Sequence, residues 1–222
     1  MTAVVKPISY ELPLEMVGVP DLGIASKQML ESASKEVEEH KDWYDGDILL
    51  VPFRGLAGKT LSVFPATFSW SIAGSKTANQ GAMLGALGSL GVAIFLYNEK
   101  GQLLWQLRSH QVVGDGLWGC SVCGYVTPEQ TIRQAMEAEL EEELGLQVAE
   151  VANLHPIALV HLENTFEVTV AYRGMLSSES ILRPGCAEVE DLLWSLADQK
   201  PGKAVGSAEV MLEVLQPLLA VP

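Results

Sequence analysis

Gly124-Tyr-Val-Thr-Pro-Glu-Gln130-Thr-Ile-Arg-Gln-Ala-Met-Glu-Ala138-Glu139-Leu140-Glu141-Glu142-Glu143-Leu144-Gly145-Leu146 is the stretch that decides the fold. Thr127 reads as an N-cap, Pro128 as the first helical residue, and Gln130, three after the threonine, as the far half of a capping box. Gly145 supplies a left-handed stop. Ile132, Met136, Leu140 and Leu144 recur every four residues and predict an apolar stripe. At about 100° per residue, Glu139, Glu142 and Glu143 fall on one flank of that stripe. A glutamate run usually marks a solvated acidic face. Carboxylates gathered on one flank beside a glycine also suit a hard divalent cation, because they repel one another until a cation joins them.

The spacing relative to Gly124 separates these readings. The segment resembles the Nudix box, which that family writes as G-x5-E-x7-R-E-U-x-E-E-x-G-U with U apolar. Gly124, Glu139, Leu140, Glu142, Glu143, Gly145 and Leu146 match in register. Two positions depart from the pattern: Gln130 stands for the family's first Glu and Ala138 for its Arg. In the family those two side chains commonly form a salt bridge. Losing both ends together strands no charge, so the pair reads as a structural substitution. The hairpin "VAIFLYNEKGQLLWQLRS" and the closing "AEVEDLLWSL" extend the resemblance over roughly residues 90–199.

The resemblance implies an α/β fold: a Nudix-like α/β/α sandwich with a mixed sheet, preceded by a small α+β N-terminal extension. The division expected is residues 1–88 as a region of unknown role and 89–222 as the Nudix domain. It further implies Mg²⁺-dependent (or Mn²⁺-dependent) hydrolysis of a diphosphate bond in a nucleoside diphosphate linked to another group, of sugar-nucleotide, ADP-ribose or dinucleotide type. Glu139, Glu142, Glu143 and the Gly124 carbonyl are then the expected metal ligands, with Glu142 and Glu143 also counted as catalytic. The additional base comes from Glu167, Glu163 or Glu188, with Glu167 ranked first. Arg108 and Trp118 are the expected substrate contacts; for Trp118 and for Trp194 core packing is the competing role.

"Leu117-Trp-Gly-Cys-Ser-Val-Cys-Gly124" also looks like the S-V-C-G stretch of isopentenyl diphosphate isomerases. That resemblance would make Cys123 a proton-transfer residue and Glu167 its partner. The isomerase motif continues with a metal-binding His where Tyr125 stands, and no His lies between His40 and His110 to supply its upstream ligands. A buried small hydrophobe is the other reading of Cys123. A third possibility is a catalytically weak Nudix protein that binds or senses a nucleotide.

The remaining chain bounds these readings. Its 222 residues carry a formal net charge of −14, with 48% hydrophobic residues and a mean hydropathy of +0.21. Such acidity argues against nucleic acid or anionic membrane as a partner. A nucleotide diphosphate is compatible, its charge being met locally by metal, and a homodimer is left open. Three cysteines, Cys120, Cys123 and Cys186, without a signal-peptide pattern point to a reducing cytoplasm. Residues 77–98 are uncharged, but their repeated glycines predict a connector running into a buried strand, not a membrane span. A helix is expected over 26–44, strands over 48–53 and 60–70, a glycine-rich link over 73–91, and a strand from Val92 to Tyr97.

Overall fold

The computed structural model describes residues 3–19, 23–40, 45–53, 56, 58–77, 87–112, 114–162 and 166–219. Its centre is β5 (Leu87–Tyr97), ten of whose eleven residues are buried. β10 (Glu167–Met175) pairs with β5 in parallel, and β9 (Ala152–Leu162) runs antiparallel to β10. β1 (Ala3–Pro7) closes that side against β9. On the other side of β5, β3 (Asp47–Pro52) pairs with its first residues and β8 (Val122–Tyr125) with its middle. β4 (Leu61–Thr67) and β2 (Leu14–Met16) continue beyond β3. The end of β5 turns through Gly101 into β6 (Gln102–Arg108), which pairs with β7 (Trp118–Gly119) and β11 (Val189–Leu196). The sheet is therefore mixed.

Helices cover both faces. α3 (Ile132–Leu144) buries Ile132, Met136, Leu140 and Leu144 against Leu90, Val92 and Ile94 on one face. On the other face α4 (Gly206–Leu219) sets Met211 and Leu215 against Ala93 and Phe95. α1 (Gly23–Glu39) and α2 (Phe68–Thr77) place Ala33 and Ala73 against Ile48, Leu50 and Phe64. The expected α/β/α layering is what the chain adopts.

Four boundaries differ from the sequence reading. α3 begins at Ile132, not Pro128, because a second capping sequence follows the first. Thr131 accepts from the Gln134 backbone N–H, and the Gln134 side chain accepts from Thr131 N at 2.9 Å. The Thr127/Gln130 pair exists, but closes a turn one step earlier, with Thr127 N donating to Gln130 Oε1 at 3.3 Å. The predicted strand 60–70 ends at Thr67; Phe68 N then donates to the Gly46 carbonyl at 2.9 Å and Ser69 N to Asp45 Oδ1 at 2.6 Å, which starts α2. The helix predicted over 26–44 spans Gly23–Glu39, and residues 41–44 lie outside the described set.

The fourth difference is the glycine-rich link. α2 runs to Thr77 and β5 starts at Leu87; residues 78–86 lie outside the described set. Gly88 and Gly91 sit inside β5 because neighbours crowd them. A Cβ on Gly88 would lie 2.8 Å from Phe53 and Val168, and one on Gly91 would lie 2.9 Å from the Gly124 carbonyl oxygen. Glycine in a strand marks such close approach as readily as it marks a break.

The corrected cap carries an expected outcome. Thr131→Ala lowers unfolding stability by about 1 kcal/mol in denaturant titrations. A larger loss for Thr127→Ala would place the cap where the sequence alone suggested.

Candidate active site

Sheet pairing lays out the floor. Ser89 sits opposite Glu167 on β10, Gly91 opposite Thr169 on β10 and Tyr125 on β8, and Ala93 opposite Cys123 on β8. Since side chains alternate faces along a strand, Glu167, Thr169, Ser89, Cys123 and Tyr125 share one face. Above them opens a cavity of about 510 Å³, within the range of small-molecule sites. Asp47, Glu139, Glu142, Glu143, Glu167 and Glu188 all line it, and Arg108 is the sole Lys or Arg among the described residues that does.

Glu143 and Glu139 come from α3. Glu143 is 1% exposed, accepts a hydrogen bond from Cys123 N at 2.9 Å through Oε2, and leaves Oε1 buried with no hydrogen-bond partner among the described residues. Burial first, then Cys123 and Glu139, push its pKa well above the usual carboxylate value. Glu139 packs into the space a side chain at position 124 would fill: a Cβ built on Gly124 falls on its Oε1. That contact gives a physical reason for glycine there. Burial, with Cys123, Glu142 and Glu188 behind it, raises Glu139 to about 8. Glu142 is exposed at the rim.

No three His, Cys, Asp or Glu side chains among the described residues close around one point as a complete metal cage would. The donor set nonetheless suits a hard cation. An orphaned buried carboxylate oxygen lies beside a second carboxylate whose burial disfavours its charge. Both pack against β8, Glu139 on Gly124 and Glu143 on Cys123 N, and the rest of a coordination shell would come from substrate oxygens. Glu139, Glu143, Glu142 and the Gly124 carbonyl are the groups that fit.

Across the cavity Arg108 Nη1 donates to Cys123 Sγ at 3.4 Å. A hydrogen bond from Cys120 and this guanidinium, acting against burial, hold Cys123 well below the usual thiol value. The Tyr125 hydroxyl meets Ser71 Oγ at 3.2 Å; burial, then Glu167, raise it to about 12.

Of the residues expected from sequence, Gly124, Glu139, Glu142, Glu143, Glu167, Glu188 and Arg108 come together around this cavity. Trp118 does not line it. Its backbone exchanges hydrogen bonds with Lys203 and Val205, and its ring packs with the α4 layer. Its effect is to seat the start of α4, from which Ala208 and Met211 reach the cavity. Trp194 packs against the α3 core. Glu163 lies outside the described residues. Asp47, Phe68, Tyr125 and Cys186 line the cavity without having been singled out. Position 125, where the isomerase motif has its His, was the one sequence signal available for Tyr125. Among the described residues no helix is long and apolar enough to cross a membrane.

The chain is similar to several known proteins. An isopentenyl-diphosphate Delta-isomerase of Klebsiella pneumoniae subsp. pneumoniae is 32% identical over 113 residues, covering 47% of this chain and 59% of the relative. An uncharacterized Nudix hydrolase of Listeria innocua is 37% identical over 77 residues, covering 34% of this chain and 45% of the relative. The chain thus spans less than two thirds of the length of either. Among solved structures, DR0079 from Deinococcus radiodurans superposes with a TM-score of 0.48 at 21% identity, covering 56% of this chain and 81% of that one. The NUDIX domain of Shewanella oneidensis NrtR, solved with ADP ribose, gives 0.46 at 19% identity, covering 59% and 88%. Residues 89–213, more than half of the chain, match the NUDIX domain model, and the chain belongs to the Nudix family.

Proposed function

We propose that this protein hydrolyses a diphosphate bond in a nucleoside diphosphate linked to a second group, with Mg²⁺ or Mn²⁺ held by Glu139, Glu143, Glu142 and the Gly124 carbonyl. The observation that carries this reading is the buried, unpartnered Oε1 of Glu143 beside Glu139. A buried acceptor without a donor is costly, and a cation-bridged diphosphate would satisfy it. When bound, the ion would neutralise charge on the diphosphate oxygens and polarise the phosphorus under attack.

The chain's own side chains supply the rest. Arg108 is placed to turn its guanidinium from Cys123 to a phosphate oxygen. Glu167, on the sheet face below, takes a proton from the attacking water at its carboxylate as the P–O bridge breaks. α3 keeps Glu139 and Glu143 fixed through its buried stripe, so their orientation is set before substrate arrives.

A second reading rests on Cys123. Its thiol faces the cavity beside Arg108, and Glu167 shares that sheet face on the strand across β5. Such a pair can add a proton to one carbon of an allylic diphosphate and remove one from another as the double bond shifts. An isomerase relative is 32% identical to this chain over 113 residues. No histidine lines the cavity among the described residues, whereas the isomerase motif carries a metal-binding His.

A Mg²⁺/Mn²⁺ screen of sugar nucleotides, ADP-ribose, dinucleotides and isopentenyl diphosphate separates the two. Metal-dependent release of a nucleoside monophosphate, retained largely by Cys123→Ser, is the expected result. Isomerisation without hydrolysis, abolished in Cys123→Ser, would overturn it in favour of the second reading. Tight nucleotide binding with no turnover would leave a sensor.

A further inference from the structure

Part of the cavity wall comes from outside the stretch that matches the family. Asp47 and Ile48 reach it from the start of β3, and Phe68 from the first residue of α2. Phe68 is half-buried, and its ring lies 5.9 Å from the Tyr125 ring at 58°.

Both rings are held before any ligand arrives. The helix start fixes Phe68, its own N–H donating to Gly46 and the next one to Asp45. Ser71, one turn along α2, holds the Tyr125 hydroxyl. Ser71 Oγ in turn donates to Ser89 Oγ at 3.4 Å, and Ser89 Oγ to the Phe166 carbonyl at 2.9 Å. Preorganisation of this kind lowers the entropy lost on binding.

Charge decides what this wall can hold. Asp47 brings an exposed carboxylate and none of the cavity-lining residues from the N-terminal strands and α2 is a Lys or Arg, among those described. A phosphate would meet only repulsion there. A neutral planar ring would meet two aromatic rings, with a carboxylate able to accept from N–H groups on the ring's edge.

We infer that Phe68 and Tyr125 seat the nucleobase of the substrate, with Asp47 at the base edge, so that the segment preceding the family match sets substrate choice. This rests on the diphosphatase reading above and names the part of the substrate that reading leaves open. Stacking on an aromatic side chain contributes enough to change affinity about tenfold.

Calorimetric titration with Mg²⁺ tests it, using methylene-bridged ADP and UDP, with methylenediphosphonate as the ring-free control and isopentenyl diphosphate as the aliphatic one. Wild type is expected to bind at least one nucleotide about tenfold tighter than methylenediphosphonate. Phe68→Leu, which keeps apolar bulk, should erase most of that advantage without changing methylenediphosphonate binding, and Phe68→Trp should restore it. Thermal melting of each variant checks folding. Equal losses for the nucleotide and the ring-free control, no loss in Phe68→Leu, or a Phe68 dependence confined to isopentenyl diphosphate would each overturn the inference. Absence of turnover with Phe68-dependent nucleotide binding would instead sink only the hydrolase reading. Turnover without that dependence would sink only this one.

Discussion

Glu143→Gln is expected to lower metal-dependent hydrolysis by about a thousandfold while leaving the fold intact. Glutamine keeps an oxygen to accept from Cys123 N, now at 2.9 Å from Glu143 Oε2, so β8 and α3 stay joined. What disappears is the charge that would hold a cation against the diphosphate, and a loss of about 4 kcal/mol in transition-state stabilisation corresponds to three decades in rate. Removing a buried carboxylate whose ionisation is disfavoured should not lower the melting temperature of the metal-free protein and should raise it at alkaline pH. Steady-state kinetics beside thermal melting give the check. Equal rates in wild type and variant would remove Glu143 from the mechanism, and a collapsed fold would show that its role is structural.

Metal and pH should act on stability together. The folded-state pKa of Glu139 is raised from 4.5 to about 8, and that of Glu143 is raised as well. Between the unfolded and folded values the native chain holds protons that the unfolded chain has released. Stability of the metal-free protein therefore falls as pH climbs from about 4.5 towards 8, above which the Glu139 part of the penalty is in place. Divalent cation reverses the sign, because it binds the ionised carboxylates. At pH 8.5, Mg²⁺ at about a hundred times its dissociation constant should add about 2.7 kcal/mol and raise Tm by about 5–10 °C. At pH 6 the shift should be much smaller, since protons occupy the same oxygens. Differential scanning calorimetry at both pH values reads this directly. Equal Mg²⁺ shifts at the two, or a Glu143→Gln profile that falls as steeply as wild type, would separate the cation from these carboxylates.

Much of this site was legible because one helix carries it. A four-residue apolar stripe ended by Gly145 leaves little freedom in where Glu139 and Glu143 point, and the structure puts both against β8. Gly124 was legible as a match to the family pattern, but its physical cause needed coordinates: Glu139 occupies the place of a side chain. The start of α3 was misread because two capping sequences stand in tandem, and only the later one adjoins the apolar stripe.

Long-range contacts were harder to see. Phe68 enters the site because β4 stops at Thr67 and the chain folds into α2, a turn stabilised by Asp45 more than twenty residues earlier. The approach of Arg108 to Cys123 depends on β6 and β8 sharing β5, which no local pattern in either segment announces. Gly88 and Gly91 read as breaks because the neighbours that crowd them lie elsewhere in the chain.

β5 crosses the start of the family match without interruption, its first residues laddered to β3 and its later ones to β8. Leu49 N donates to Val126 O at 2.9 Å, stitching the leading segment to the strand that bears Cys123 and Gly124. Ile8, Leu12, Leu49, Val51, Leu61 and Val63 share one core with Met136 and Leu140. Residue 89 is thus where a pattern of letters becomes recognisable, while the shared sheet and core run well upstream of it. An excision at that point would bare a row of backbone donors and acceptors and the apolar side chains beneath them, so the leading segment and α3 are expected to melt as one unit.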